Sequence, residues 1–258
     1  MKLCTYGKLN LCLQIYPATS YVSKHQLDSI FCLYRKVKDI IYIKKAKSLN
    51  IKYLNCDIPQ SQCLVLKSLK YLQKKFGWDI NYQIKIKKNI HLGAGLGGGS
   101  SDAAAVINYL LRHHPHTSLD LEEIALVLGS DIPFFLSGYS FARVKQYGNF
   151  VSPIASIKAK YKVLINQQNF IRTKDVFMAL DKNKKYHSQV DVNNVFNCLI
   201  YHKPIDPPFF NDLTPYILAI NPKLNAIYHK AVRKYGANHY VFFTGSGSSI
   251  VLLKKCSY

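Results

Sequence analysis

Between residues 91 and 105 the chain reads HLGAGLGGGSSDAAA, a dense glycine loop that runs into two serines, an aspartate and three alanines. Gly93, Gly95, Gly97, Gly98 and Gly99 lack Cβ atoms, so the backbone can take positive φ and bring its N–H groups close to an anion. Ser100, Ser101 and Asp102 are residue types that cap helices, and Ala103, Val106, Ile107, Leu110 and Leu111 then fall on one helical face. The free N–H groups and the dipole at the start of such a helix favour negative charge. The chemistry this segment supports is the holding of a polyphosphate.

Two common phosphate motifs fit less well. A Walker-type P-loop needs a lysine after its last glycine, and serine stands there. Gly93, Gly95 and Gly98 do spell G-x-G-x-x-G after the strand-like NYQIKIKK, which is part of a dinucleotide-binding context. Beyond the glycine helix, however, the chain runs through HHPHTS into a second helical pattern, LEEIALVL, where a parallel strand with an acidic ribose ligand would be required. A plain flexible linker is the remaining alternative, and the alternating strand before the loop and the amphipathic helix after it argue against that.

The elements around the loop follow from periodicity. YGKLNLCLQI alternates, which directs Leu9, Leu11, Leu13 and Ile15 to one strand face and sets Lys8 and Asn10 together on the other. FCLYRKVKDIIYIKKA continues as strands, SQCLVLKSLKYLQKKFG is helical with Gly77 as its cap, and LDLEEIALVLG is a helix closed by Gly129. In the following SDIPFFLSGYSFARV, Asp131 is expected in a short loop where Pro133 keeps the helix from resuming. In the second half, SPIASIKAKYKVLIN reads as a strand and NFIRTKDVFMAL as a helix capped by Thr173. DKNKKYHSQVDVNN is the loosest stretch, NDLTPYILAINPKLNAIYHKAVRKYG is helical up to Gly236, and YVFFTGSGSSIVLLKK gives two strands about a glycine-serine turn. Nothing repeats at a fixed period.

A chain of 258 residues, 48% hydrophobic, suits one large or two modest soluble domains. No apolar run has the length of a membrane span, and Lys8 and Asn10 interrupt the N-terminal stretch, so a cytoplasmic location is expected. The seven cysteines are scattered without a C-x-x-C pair, which points to reduced thiols rather than a disulfide framework or zinc ribbon. A net charge of +21 suits anionic substrates, and by itself does not separate a nucleotide-using enzyme from an RNA-associated protein.

Taken together, YGKLNL at 6–11, GAGLGGGSSDAAA at 93–105 and TGSGSS at 244–249 resemble the three motifs of the galactokinase, homoserine kinase, mevalonate kinase and phosphomevalonate kinase (GHMP) superfamily. GSDIPFFLSG at 129–138, KHQLDSIF at 24–31 and NDL at 211–213 resemble the branch whose acceptor is a cytidine-diphosphate-linked methylerythritol. The resemblance implies an α+β, two-domain GHMP kinase fold, with an ATP-binding domain over 1–146, a C-terminal domain over 147–258, and the active site in the cleft between them. It implies an ATP- and Mg²⁺-dependent kinase phosphorylating the acceptor's 2-hydroxyl, in the non-mevalonate route to isoprenoid precursors. The partner is then a small molecule, with neither membrane nor nucleic acid expected. A sister kinase acting on homoserine, mevalonate or a sugar, and a non-catalytic nucleotide- or RNA-binding relative, are the alternatives.

Carried onto this sequence, the resemblance makes Lys8 and Asp131 the catalytic pair, a carboxylate to take the hydroxyl proton and a cation beside it. Gly93, Ala94, Gly95, Leu96, Gly97, Gly98, Gly99, Ser100 and Ser101 become the phosphate cradle, with the hydroxyl of Ser100 or Ser101 near Mg²⁺. Asn10 places the substrate, His25 reads the cytosine edge, Phe177 stacks on that base, and Thr173 adds a weaker contact. Where the family has Gly-Tyr before the histidine, this chain has Ser23 and Lys24, so Tyr21 or Phe31 is the candidate for the second stacking ring. His91 and Leu92 stand where the family has a proline. The chain stops at Tyr258 where relatives commonly add a terminal helix, which implies a C-terminal domain that is either less covered or packed against a partner.

Overall fold

In a computed structural model, residues 1–18, 24–114, 116–157, 160–166, 169–183, 188–201 and 210–255 are described. The alternating N-terminal stretch forms β1 (Lys2–Tyr16), and the next hydrophobic run forms one long strand, β2 (Gln26–Lys45). β1 pairs antiparallel along nearly all of β2. The other edge of β2 is shared: β4 (Tyr82–Lys87) takes one end and β5 (Phe141–Gln146) the other. β3 (Asn50–Tyr53) joins β4 in parallel, and β6 (Phe150–Pro153) joins β5, completing six strands. The division expected at residue 147 falls in the β5–β6 turn, so the first sheet extends to Pro153.

Helices α1 (Leu64–Phe76), α2 (Gly98–Leu111), α3 (Leu121–Val127) and α4 (Ile132–Ser137) belong to this first unit. Leu69 and Leu72 of α1 and Val106, Ile107 and Leu110 of α2 pack on Ile41, Ile43, Ile84 and Ile86 of β2 and β4. Gly77 ends α1 with φ +67°, the left-handed cap its position suggested. Contrary to expectation, the chain does resume as a helix at Ile132, with Pro133 in its first turn. Proline is tolerated there because its missing N–H has no intrahelical acceptor to lose.

The second sheet has the order β7 (Tyr161–Leu164), β9 (Ile250–Lys254), β8 (His239–Phe243), all antiparallel. SPIASIKAKYKVLIN is therefore two strands in different sheets, not one. β9 is apolar on both faces and buried on both. Val251 and Leu253 pack toward Leu9, Leu11, Ile30 and Cys32 of the first sheet, together with Val195 and Leu199 of α6 (Val192–Tyr201). Ile250 and Leu252 face Val176 of α5 (Thr173–Asp181), Ile217 of α7 (Thr214–Ile220) and Leu224 of α8 (Pro222–Tyr235). The helical run before Gly236 is thus two helices, broken where Asn221 accepts from the Leu224 N–H and caps α8.

A β-bulge changes the reading of β1. Asn10 pairs with Phe31 and Cys12 with Ile30, so Leu11 is an extra residue and the alternation flips beyond it. Leu9 and Leu11 join the core shared with the second sheet, while Leu13 and Ile15 turn to the side of Lys8 and Asn10 and line the cleft. The single face expected for all four apolar residues is split for that reason.

Candidate active site

A cleft of about 660 Å³ lies where the two units meet. Gly97, with φ +66°, is the N-cap of α2, and helix begins at Gly98 with no side-chain cap. Ser100, Ser101 and Asp102, expected as caps, instead sit inside the first turn and a half. The glycines win that place because only they accept the left-handed backbone that turns the loop into the helix. The first N–H donors of α2 therefore open to the cleft, where Gly97 to Ser100 form part of the lining. Ser101 is 4% exposed and belongs with Ala105 and Asn108 to a separate hollow beside Cys4 and Thr5, so of the two serines only Ser100 faces the cleft.

The rest of the loop is pinned by its carbonyls. Ser248 and Ser249 of the TGSGSS turn donate backbone N–H groups to Gly93 (3.0 Å) and Ala94 (3.2 Å), and the Lys8 N–H donates to Leu96 (2.8 Å). A Cβ at Gly95 would fall 2.2 Å from the Thr244 carbonyl oxygen, which is why the two glycine-rich segments can interlock. The Ala94 and Leu96 side chains are core, both 1% exposed, so those two residues enter the cradle through backbone alone. Thr173 does not cap α5; its hydroxyl lies 2.8 Å from the Ser246 hydroxyl and ties α5 to the TGSGSS turn.

At the centre, Lys8 Nζ stands 3.5 Å from Asp131 Oδ2 and donates to Asn10 Oδ1 at 2.5 Å. Lys8 is only 3% exposed, and a lysine so placed needs partners for its charge. The face of Phe31, 4.9 Å from the ammonium, supplies a further one. Asn10 is fixed in turn by its amide donating to Ser29 Oγ (2.9 Å) and its backbone N–H donating to Thr244 Oγ1 (2.7 Å). Asp131 is more open, with 27% of its side chain exposed. Phe31 has no exposed surface and meets Phe134 edge-on at 5.2 Å, so it supports Lys8 and has no face left for a base. Tyr21 and Ser23 lie outside the described residues.

His25 and Phe177 do come together, ring centroids 5.3 Å apart, although 152 positions apart by number (177 minus 25). Sequence reasoning missed their third member, Asp181, whose Oδ1 is 2.9 Å from His25 Nε2. The available signal was its place one helical turn after Phe177. Lys24 borders the same cleft, and its ammonium donates to the Ala125 carbonyl near the end of α3. Burial pushes the Lys24 amine below its usual range, against the upward pull of the Asp131 charge.

Two polar networks hold these pieces. Under the loop, Lys88 Nζ donates to Asp39 and to Asp102 Oδ2 (2.7 Å), while Thr5 Oγ1 donates to Asp102 Oδ1 (2.6 Å). Asp39 also accepts from the N–H groups of Asn89 (2.5 Å) and Ile90 (2.8 Å), at the approach to the glycines. Burial raises the Asp102 carboxyl to about 6 despite the opposing pull of Lys88. On the other side, the NDL segment is a clamp. Asn211 Nδ2 donates to the carbonyls of Phe243 and Gly245, both at 2.8 Å, and Asp212 Oδ2 accepts from the Ile15 N–H at 2.8 Å.

Among the described residues no group of three His, Cys, Asp or Glu side chains is placed to hold a metal ion. The side-chain oxygens that line the cleft include the Ser100 hydroxyl, close to Gly129, and the Asp131 carboxylate, with Asn10, Gln62, Ser130, Thr173, Asp181 and Ser246 around them. Oxygen donors suit a hard cation such as Mg²⁺, which keeps waters and takes its other ligands from substrate phosphates. No described helix is long and apolar enough to cross a membrane.

Residues 63–139 match the family described as GHMP kinases N terminal domain. Over 98% of the chain and 96% of the relative, the sequence is 32% identical to 4-diphosphocytidyl-2-C-methyl-D-erythritol kinase of Ureaplasma parvum serovar 3. The fold is similar to a crystal structure of 4-(cytidine 5'-diphospho)-2C-methyl-D-erythritol kinase, with a TM-score of 0.72 and 25% identity over 98% of this chain and 90% of that one. A homoserine kinase from Cytophaga hutchinsonii shares the fold at a TM-score of 0.60 and 13% identity, covering 100% of this chain and 85% of its own.

Proposed function

The chain belongs to the 4-diphosphocytidyl-2-C-methyl-D-erythritol kinase family of GHMP kinases, and on that premise we propose that it transfers the terminal phosphoryl group of ATP to the 2-hydroxyl of 4-diphosphocytidyl-2-C-methyl-D-erythritol. The observation that carries this reading is one cleft holding the Lys8–Asp131 pair, the open start of α2 and the His25–Phe177–Asp181 group.

Asp131 accepts the hydroxyl proton as the acceptor oxygen bonds to the γ-phosphorus and the bond to the bridging oxygen breaks, releasing ADP. Lys8 orients the carboxylate and offsets charge on the moving group, and Asn10 fixes Lys8. The N–H groups at the start of α2 hold the donor's phosphates, with Ser100 as the hydroxyl beside them. Ser100, with the substrate phosphates, would hold Mg²⁺, which would supply neutralisation of the phosphate charge. His25 and Phe177 take the cytosine, one by its edge and one by its face. Thr173 acts through Ser246 rather than on the acceptor.

We divide the chain into a nucleotide-holding unit ending after Pro153 and a second unit beyond it. The scattered cysteines, with no C-x-x-C pair in the sequence, support a reducing, cytoplasmic setting. The test is transfer of radiolabelled γ-phosphate with a panel of acceptors. Label should pass to the cytidyl acceptor and not to homoserine, mevalonate or galactose. Transfer to one of those three, with none to the cytidyl compound, would overturn the reading.

A further inference from the structure

Three lysines line the described cleft, and their charges are matched differently. Lys8 is paired with Asp131, and Lys88 is enclosed by Asp39 and Asp102. Among the described residues, Lys24 donates to the Ala125 carbonyl and has no carboxylate within ion-pair distance. An ammonium has three donors, and one bond to Ala125 leaves two for a ligand.

Its location along the cleft is equally specific. Lys24 is the chain neighbour of His25, whose ring is fixed by Asp181 and sits beside Phe177. At the same time it is near enough to Asp131 for that carboxylate to pull its amine upward against the effect of burial. A cytidine-diphosphate-linked alcohol has the same order of parts: base, then diphosphate, then the reacting hydroxyl.

We propose that Lys24 is a specificity-determining residue that binds the diphosphate of the acceptor, between the base held at His25 and the hydroxyl activated at Asp131. This rests on the acceptor assigned above. The backbone supports the role, because Lys67 also donates to a carbonyl of α3, that of Val127 at 2.8 Å. Both lysines bond carbonyls in the last turn of α3, where the helix dipole favours cations, and the Ala125 bond anchors Lys24 even though the Lys67 charge pushes its amine downward. Where the resemblance leads one to expect an aromatic ring on the base, this chain grips the neighbouring phosphates.

The experiment compares dissociation constants of CDP and of cytidine, by calorimetry, for the full chain and for Lys24→Gln and Lys24→Arg. Lys24→Gln should weaken CDP by about tenfold or more, the loss of one charge-assisted contact, and cytidine by less than about twofold. Lys24→Arg should restore most of the CDP affinity. Equal losses for both ligands, or unchanged CDP binding, would overturn the role of Lys24 while leaving the acceptor assignment standing. An unsubstituted protein that binds neither ligand would overturn both. Should Lys24→Gln fold poorly, the unsubstituted chain still decides: its preference for CDP over cytidine should shrink as salt is raised, and a salt-independent preference contradicts the proposal.

Discussion

His25 Nε2 lies 2.9 Å from Asp181 Oδ1, a contact joining the residue just before β2 to the last residue of α5. The carboxylate fixes the His25 ring through Nε2, so its loss should loosen the group proposed above to take the cytosine edge. Asp181 is 57% exposed in its side chain, so the effect of losing it is moderate. Asp181→Asn should weaken CDP binding by roughly 2- to 10-fold, the worth of one hydrogen bond, with little change in ATP binding. An unchanged CDP dissociation constant would contradict the role given to Asp181.

Gly97 is where the glycine loop meets Lys8 and Asp131. Its φ of +66° is strained for any side chain, and a Cβ there would sit 3.1 Å from Lys8 Cγ and 3.2 Å from Asp131 Oδ2. Gly97→Ala should therefore lower both ATP affinity and turnover, measured as separate KM and kcat effects. Gly99 lies in helix with nothing within 4 Å of an added Cβ, so Gly99→Ala should keep or raise the melting temperature. Equal loss of Tm in the two variants would contradict this distinction.

The two serines should also separate. Ser100→Ala removes the hydroxyl that faces the cleft and should raise the Mg²⁺ concentration needed for half-maximal activity. Ser101→Ala changes the side chain on the α2 face with Ala105 and Asn108 and should leave that concentration where it is. A Mg²⁺ requirement shifted by Ser101→Ala alone would reverse the assignment.

Asp102 predicts a pH effect on stability. Burial lifts its carboxyl to about 6, so between the ordinary aspartate value and about 6 the folded state binds more protons than the unfolded one. This contribution is present at acid pH and is lost as pH rises through about 6. Asp102→Asn removes the titration. Melting temperatures at pH 5 and pH 8 should fall less from the lower to the higher pH in Asp102→Asn than in the unsubstituted chain, and identical pH dependence would contradict it.

Much of the site is legible in the sequence because its residues sit in strongly patterned elements. Strand alternation around Lys8 and Asn10 puts both on one side, and they do meet, Nζ to Oδ1. The glycine loop, set between an alternating strand and an amphipathic helix, points to an anion site from sequence, and its residues 93–100 do line the cleft. What escapes the pattern depends on contacts between distant segments. The bulge at Leu11 turns Leu13 and Ile15 into the cleft, and no local signal marks it. Asp102 looks like a cap but is claimed by Lys88 and Thr5, and Thr173 looks like a cap but is claimed by Ser246. Asp181 acquires meaning only once α5 is docked beside His25.

The central claim is that Asp131, set against Lys8, takes the proton of the acceptor hydroxyl at the mouth of the α2 cradle. The most direct measurement is single-turnover phosphoryl transfer to 4-diphosphocytidyl-2-C-methyl-D-erythritol by Asp131→Asn, alongside its dissociation constants for ATP and CDP. Transfer should fall by about 10²-fold or more, as loss of a general base requires, with both dissociation constants within a few-fold of the unsubstituted values. Near-normal transfer by Asp131→Asn would contradict the account.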